Sequence, residues 1–291
     1  MSSQTTSAYC RAGLDSYCGA LLRHQQPGTA LFLAHADTAT AIRRAQDELT
    51  THLAALTPPR KYVQHRLHPH TRGNGTPKTR SLLFMALAVA AASGLGAGRV
   101  LVPENGFTSI NPPLEPSRAG VMTTRSTHPW TFHQLASLLR QIGLGSIAVI
   151  NPHANLTKGE LVRLALGSDP AALAAAAKTV SCAMLNAGRP AGGNANLQCG
   201  ACIACQVRRG AFHGAGLPDP TPYAVTGANQ ALAEKVRKHR RHDLAAVQTA
   251  ISGGIPDHRI FGNALWPDDT DFDAVLDLCV RGLQELSLVP R

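Results

Sequence analysis

The sequence is poor in aromatic and acidic side chains, and long hydrophobic runs are absent. Aromatic residues make up 4% of its 291 positions although apolar residues reach 44%. With so few rings, the core has to be built mainly from Ala and Leu, which favours helices. Asp and Glu number 18 against 28 Lys and Arg, a formal charge of +10. That balance points to an anionic partner such as a nucleotide, a phosphate or a nucleic acid, but net charge alone does not assign nucleic-acid binding. The longest apolar run, Leu82 to Ala92, is too short to span a bilayer. Residues 1–9 are polar and hold no apolar stretch, so no secretory signal is read there. No internal repeat or low-complexity block interrupts the chain. The expectation is a soluble, cytoplasmic protein with no membrane partner, long enough for one large domain or two smaller ones. Cytosolic thiols stay reduced, which removes disulfides as the reason for seven cysteines.

Four of the cysteines dominate the sequence. Cys199, Cys202 and Cys205 are spaced C-x-x-C-x-x-C, and Cys182 precedes them across a segment rich in Gly, Asn and Pro. Such a segment is a loop, and it can fold back to bring Cys182 to the other three. Four thiolates make a closed tetrahedral zinc site with no position left for a catalytic water, so the site is expected to be structural. The same spacing also suits an iron–sulfur cluster.

Beyond Cys205 come Arg208, Ala211-Phe212, Gly216-Leu217 and Asp219-Pro220. Together with Ser181-Cys182 and Cys199-Gly200, this arrangement resembles the zinc segment of the QueC family, the 7-cyano-7-deazaguanine synthases of queuosine biosynthesis. The resemblance implies an α/β fold: a doubly wound parallel sheet of the adenine-nucleotide, P-P-loop kind, with a four-cysteine zinc segment and a helical C-terminus. It also implies ATP and Mg²⁺ as cofactors beside Zn²⁺. The match runs from about Arg11 to Tyr223. The expected division is 1–180 for the nucleotide, 181–223 for the metal and 224–291 for a helical C-terminal region.

Near the N-terminus, Gly13, Leu14, Asp15 and Ser16 lead into an apolar helical start. They fit the end of a P-P-loop, S-G-G-x-D-S, in which small residues and a helix N-terminus receive phosphate. Arg11 and Ala12 stand where the family has Ser and the first Gly. The strand that should precede the loop is not recognisable in the polar residues 1–9. Thr29 to Ala34 is apolar enough for a buried strand, His35 follows it, and a helix is expected from Thr38 to Leu56. Tyr62 to Leu67 alternates as a strand does. Thr79 to Ser93 is apolar nearly all round and is expected to be a buried helix. Arg99 to Val102 reads as another buried strand, and Glu104 and Asn105 then fall where an open α/β sheet places its ligand. In the resembled fold His35 lies near the adenine, Arg80 heads a helix close to the nucleotide, and Lys158 lies near the phosphates.

Phe107 to Trp130 is expected to be a long loop without regular structure, of the kind that carries function. It lacks the acidic Tyr-Pro-Asp-Cys-type element of the housekeeping synthases. Its N-P-P-L-x-P-x-R and T-T-R-S-T-H-P stretches look like those of the QueC-like QatC proteins of Qat anti-phage systems. A helix from Trp130 to Ile142, a strand from Ile147 to Ile150 and a capping box at Thr157–Glu160 follow. After Tyr223 the resemblance thins into helices, one carrying the basic run from Lys235 to His242.

The expected activity is that of an ATP-dependent carbon–nitrogen ligase. It adenylates 7-carboxy-7-deazaguanine for amide or nitrile formation, with Asp15, Ser16, Arg80 and Lys158 at the chemistry. Arg11, Gly13, Leu14, Asp15, Ser16, His35, Glu104 and Asn105 would hold the nucleotide, and Cys182, Cys199, Cys202 and Cys205 the metal. A defence role brings with it a partner protein of the same operon, and relatives of this family dimerise. The alternative is a zinc-stabilised P-P-loop subunit that binds a partner protein or nucleotide without catalysis.

Overall fold

The computed structural model describes residues 6–10, 13–27, 30–36, 40–58, 61–66, 80–115, 125–167, 169–183 and 197–290. Five strands, β1 (Thr6–Cys10), β2 (Ala30–Ala36), β3 (Lys61–Arg66), β4 (Arg99–Leu101) and β5 (Ala148–Ile150), form one parallel sheet in the order β3-β2-β1-β4-β5. Helices α1 (Leu14–His24), α2 (Thr40–Ala54), α3 (Arg80–Gly94), α4 (Gly106–Ile110) and α5 (Pro129–Gln141) lie between the strands. After β5 come α6 (Lys158–Leu166), α7 (Pro170–Ala176), α8 (Ile203–Ala215), α9 (Gln230–His239), α10 (Arg241–Gly253), α11 (Asp257–Phe261) and α12 (Phe272–Ser287).

The order reverses between β1 and β4. From β1 the chain builds outward through β2 to β3, then returns to the other side of β1 for β4 and β5. The two directions send their crossovers to opposite faces, and two separate cores result. One joins Leu14, Tyr17, Leu49 and Leu53 of α1 and α2 to Leu161, Val162 and Phe212 of α6 and α8. The other joins Phe84 and Val89 of α3 to Val100, Val149, Leu135 and Leu139. In an open α/β sheet, ligands bind beyond the carboxyl ends of the strands at such a reversal. Here that is the crevice above β1 and β4.

Three sequence expectations need correction. The strand before the loop exists: Thr6–Cys10 pairs with β2 on one side and β4 on the other, at the centre of the sheet. The expected loop from Phe107 begins with a helical turn, α4, capped by Asn105, whose side chain accepts from the Thr108 N–H at 2.9 Å. Helix α3 is not buried all round, since Leu82 and Leu83 are 49% and 40% exposed. On α5, Leu135 and Leu139 are buried whereas Leu138 and Ile142 face outward. Among the described residues no helix is long and apolar enough to cross a membrane.

The C-terminal helix α12 is keyed into the rest. A Cβ on Gly282 would lie 2.2 Å from the Phe107 ring, so only glycine lets α12 and α4 approach this closely. The Glu285 carboxylate accepts the Gly159 N–H at 3.0 and 3.1 Å and the Thr157 hydroxyl. A carboxylate at this point complements the positive end of α6. Arg281 adds an ion pair to Glu160 at 2.5 Å.

Candidate active site and metal centre

The end of β1 leads into α1, whose N-cap is Gly13 with extended backbone and no side-chain cap. The first N–H groups of a helix have no partner within the helix, and here they open onto a cavity of about 770 Å³. Gly13, Leu14, Asp15, Ser16, Glu104 and Lys158 all line it. Leu14 is 1% exposed and packs in the core of α1 and α2, so only its backbone can serve a ligand.

Asp15 is the hub. Lys158 at the start of α6 donates to its Oδ1 at 2.6 Å, and the Asn105 side chain donates to its Oδ2 at 2.8 Å. Lys158 and Asp15 are both buried, and Asn105 is wholly so. Burial alone would raise the Asp15 carboxyl. The Lys158 ammonium and hydrogen bonds involving Glu104, Lys158 and Asn105 outweigh it and hold the group well below the usual carboxylate range. Lys158 is therefore not an exposed first-turn lysine. The capping box of Thr157 and Glu160 fixes the turn that presents it. Nearby, burial depresses His153 below an ordinary histidine even though the Asp15 charge pulls the other way. The Asn151 side chain accepts the Glu104 and His153 N–H groups at 3.3 and 3.1 Å, tying the turn after β4 to that after β5.

The expected nucleotide residues thus divide. Gly13, Leu14, Asp15, Ser16, Glu104, Asn105 and Lys158 come together around the crevice. His35 sits near the carboxyl end of β2 and Arg80 opens α3, but their side chains, and the whole of Arg11, lie outside the described residues. So do Arg118, Thr123 and Thr124 of the long loop. His128 is buried as the N-cap of α5, accepting from the Trp130 N–H at 3.2 Å. Asp243, Asn263 and Gln46 line the cavity without having been singled out in the sequence, and Arg240 was read there only as part of a basic run.

The four cysteines meet. Their sulfurs lie within 4.8 Å of one another, all are buried, and Cys199 and Cys205 are 3.8 Å apart. A tetrahedral ion with metal–sulfur bonds of about 2.3 Å holds its sulfurs about 3.8 Å apart. The cavity between the sulfurs therefore fits one metal ion. The several iron atoms of a cluster would hold the sulfurs further apart. The Cys199 sulfur accepts the Ala201 and Cys202 N–H groups at 3.4 and 3.3 Å, bonds that stabilise a thiolate. The tight turn needs Gly200: its φ is +80°, and a Cβ would come within 2.4 Å of Val225.

Two polar residues hold the metal segment to the α/β body. Gln198 accepts the Ser181 and Cys182 N–H groups at 3.1 Å and donates to the Thr179 carbonyl at 2.9 Å, so it clamps Cys182 beside Cys199. Arg208 is fully buried. It donates to Thr221 Oγ1, Thr179 Oγ1, Ser181 Oγ and the Ala176 carbonyl at 2.6 to 3.2 Å. Its guanidinium lies 5.4 Å from the centre of the Phe212 ring.

The profile of the family described as "Queuosine biosynthesis protein QueC" matches residues 126–216, which include Lys158 and all four cysteines. A 7-cyano-7-deazaguanine synthase of Methylococcus capsulatus is 31% identical over 164 residues, covering 54% of this chain and 62% of that protein. Synthases of Aromatoleum aromaticum and Magnetococcus marinus are 31% and 32% identical over 148 residues. Each of those alignments covers 50% of this chain, with 56% and 55% of the respective relative. The chain thus spans less than two thirds of the length of these curated relatives, and over that span it is similar to 7-cyano-7-deazaguanine synthases.

Proposed function

We propose that the protein is a QueC-like, ATP-dependent ligase that activates the carboxylate of a 7-deazaguanine-type acid, 7-carboxy-7-deazaguanine, as an acyl adenylate. The observation that carries this reading is the buried Asp15–Lys158–Asn105 cluster at the β1/β4 reversal, beside an N-terminus of α1 that no side chain caps, and inside a cavity large enough for a nucleotide. The similarity to synthases of that name supports the substrate class.

In this mechanism the α1 N–H groups and Ser16 receive the phosphates, which the helix dipole favours. A substrate carboxylate oxygen attacks the α-phosphorus, the bond to the bridging oxygen breaks, and pyrophosphate leaves. Lys158, held ready by Asp15, turns to the negative charge that grows on the phosphates, and a preorganised cation in a water-poor site is most effective there. Arg80, at the head of α3, is assigned to the same charge. A magnesium ion, bound by the phosphates and Asp15, would supply further neutralisation. An amine then attacks the acyl carbon, and AMP departs with one oxygen of the acid.

Cys182, Cys199, Cys202 and Cys205 hold Zn²⁺ as a structural ion, since four protein ligands leave no open position. Residues 1–180 serve the nucleotide, 181–223 the metal, and 224–291 form the helical C-terminal region. A cytoplasmic location goes with this reading, and placement in an anti-phage system, with a partner protein of that system, rests on the sequence of 107–130. The non-catalytic alternative draws on Arg11 and Ala12 in the loop, while β1 supplies the strand before it.

The test is pyrophosphate release from ATP and Mg²⁺. Release is expected only when 7-carboxy-7-deazaguanine is present. Release that ignores the acid, or none from folded, metal-loaded protein, would move the reading to the non-catalytic subunit.

A further inference from the structure

Helices α9 and α10 meet in an elbow at Arg240, beyond residues 126–216 that match the queuosine-family profile. Leu232 and Val236 of α9 and Leu244 of α10 pack on the cysteine cluster beside Tyr223 and Val225, so the metal segment fixes the elbow in place. Its outer side carries Lys235, Lys238, His239, Arg241 and His242, all exposed. The other two cations of the run are occupied. Arg237 donates to the Val225 carbonyl at 2.7 Å, and Arg240 pairs with Asp243 at 3.3 Å.

The fold does not account for this charge. Cations suit the last turn of α9, but in the first turn of α10 the helix dipole opposes them, and Arg241 and His242 sit there with no side-chain cap. Lys235 and Lys238 are neighbours three apart on α9, where like charges repel. Among the described residues no carboxylate pairs with any of the five exposed groups. Such a surface is complementary to a ligand that brings several negative charges at once.

What the elbow lacks narrows the partner. Residues 224–253 hold no Phe, Tyr or Trp, so there is no ring platform for the stacking of unpaired bases. Among the described residues no exposed large hydrophobic lies on α9 or α10. A protein hot spot and a membrane-seated helix both need such side chains. We propose that the α9–α10 elbow is a docking surface for a nucleic-acid duplex, held through its phosphates by Lys235, Lys238 and Arg241, with His239 and His242 beside them. Contacts of this kind position a duplex without reading its sequence. Arg240 of the same elbow lines the cavity, so a docked duplex lies at the cavity rim. The assignment stands or falls independently of the adenylating reading, because none of the three cations belongs to the Asp15–Lys158 cluster.

The test is fluorescence anisotropy of the metal-loaded protein with short labelled RNA and DNA duplexes, the corresponding single strands and a glutamate-rich peptide. Wild type binds duplex with a Kd on the order of 10 µM near physiological salt, and log affinity falls with log salt at a slope of about −3, near one unit for each Lys or Arg on a phosphate. The triple variant Lys235→Glu, Lys238→Glu, Arg241→Glu loses about tenfold or more of that affinity. Each single change to Gln makes the slope shallower by about one. A control with Arg99→Glu, Arg140→Glu and Arg163→Glu, at positions exposed elsewhere on the chain, has the same net charge and stays within about threefold of wild type. Thermal midpoint and metal content are unchanged in both triple variants, since every altered side chain is exposed. Binding of either duplex through the elbow supports the assignment. An equal loss in the control overturns it, because net charge alone would then attract the duplex. Tighter binding of the peptide or of single strands overturns it too, as does a wild type that binds neither duplex.

Discussion

Removing the metal from the four-cysteine site is expected to lower the thermal midpoint by about 20 °C or more. The four sulfurs are buried at the centre of a cluster that also holds Tyr223, Val225, Leu232 and Val236. Without an ion, that cluster surrounds closely spaced thiols held by the Gln198 clamp and by N–H bonds to the Cys199 sulfur. Binding of a structural zinc ion supplies on the order of 10 kcal/mol to a small site, comparable with the whole stability of a domain. The loss reaches the cavity, because Cys182 and Cys202 line it and α8, which starts after Cys202, packs on α6 and α12. Cys205→Ser should behave like chelated protein even before chelator is added. Metal analysis with calorimetry before and after chelation checks this: one zinc per chain and a large drop are expected. A midpoint unmoved by full metal removal would contradict the structural role.

Replacing Lys158 with Met is expected to cut acid-dependent pyrophosphate release about a hundredfold or more, the usual cost of removing one preorganised group from a developing charge. It should also destabilise the fold by about 3 kcal/mol, because it leaves the Asp15 carboxylate buried without its cation. The pH dependence has a definite sign. The folded-state pKa of Asp15 lies below the ordinary aspartate value of 3.8. The stability contributed by this depression is full above about pH 4 and is lost as pH falls through the folded value. The gap between wild type and Lys158→Met should therefore be widest near neutral pH and should close under acid conditions. Rates and denaturation midpoints across that range check both effects. A variant with normal rate and normal neutral-pH stability would remove Lys158 from the chemistry.

The metal centre was legible in the sequence because its signal is chemical. Three cysteines at fixed spacing and a fourth across a Gly-rich loop need no tertiary context. Gln198, which clamps Cys182 to Cys199, gave no such signal, since a glutamine in a loop looks like any polar residue. Asp15, Asn105 and Lys158 were singled out from motif positions, but their direct contact depends on the β1/β4 reversal, which strand order alone creates. Strand β1 was missed because Thr-Ser-Ala-Tyr-Cys has neither an apolar run nor alternation. Pairing with β2 and β4 makes it a strand, so tertiary context overrode local propensity. On α3 the sequence is apolar at nearly every position and periodicity carries no information about faces, hence the unforeseen exposure of Leu82 and Leu83. Arg240, Asp243 and Asn263 lie far along the chain from Asp15. Their place in the cavity follows from how α10 and α12 dock, through close approach at Gly282 and the Glu285 carboxylate.

In the proposed reaction the substrate acid is activated through its own carboxylate oxygen. The most direct measurement follows ¹⁸O from labelled 7-carboxy-7-deazaguanine through one round of the reaction with ATP and Mg²⁺, with the phosphate products read by mass spectrometry. One ¹⁸O in AMP and none in pyrophosphate are expected. Label in inorganic phosphate, or AMP formed without label, would contradict it.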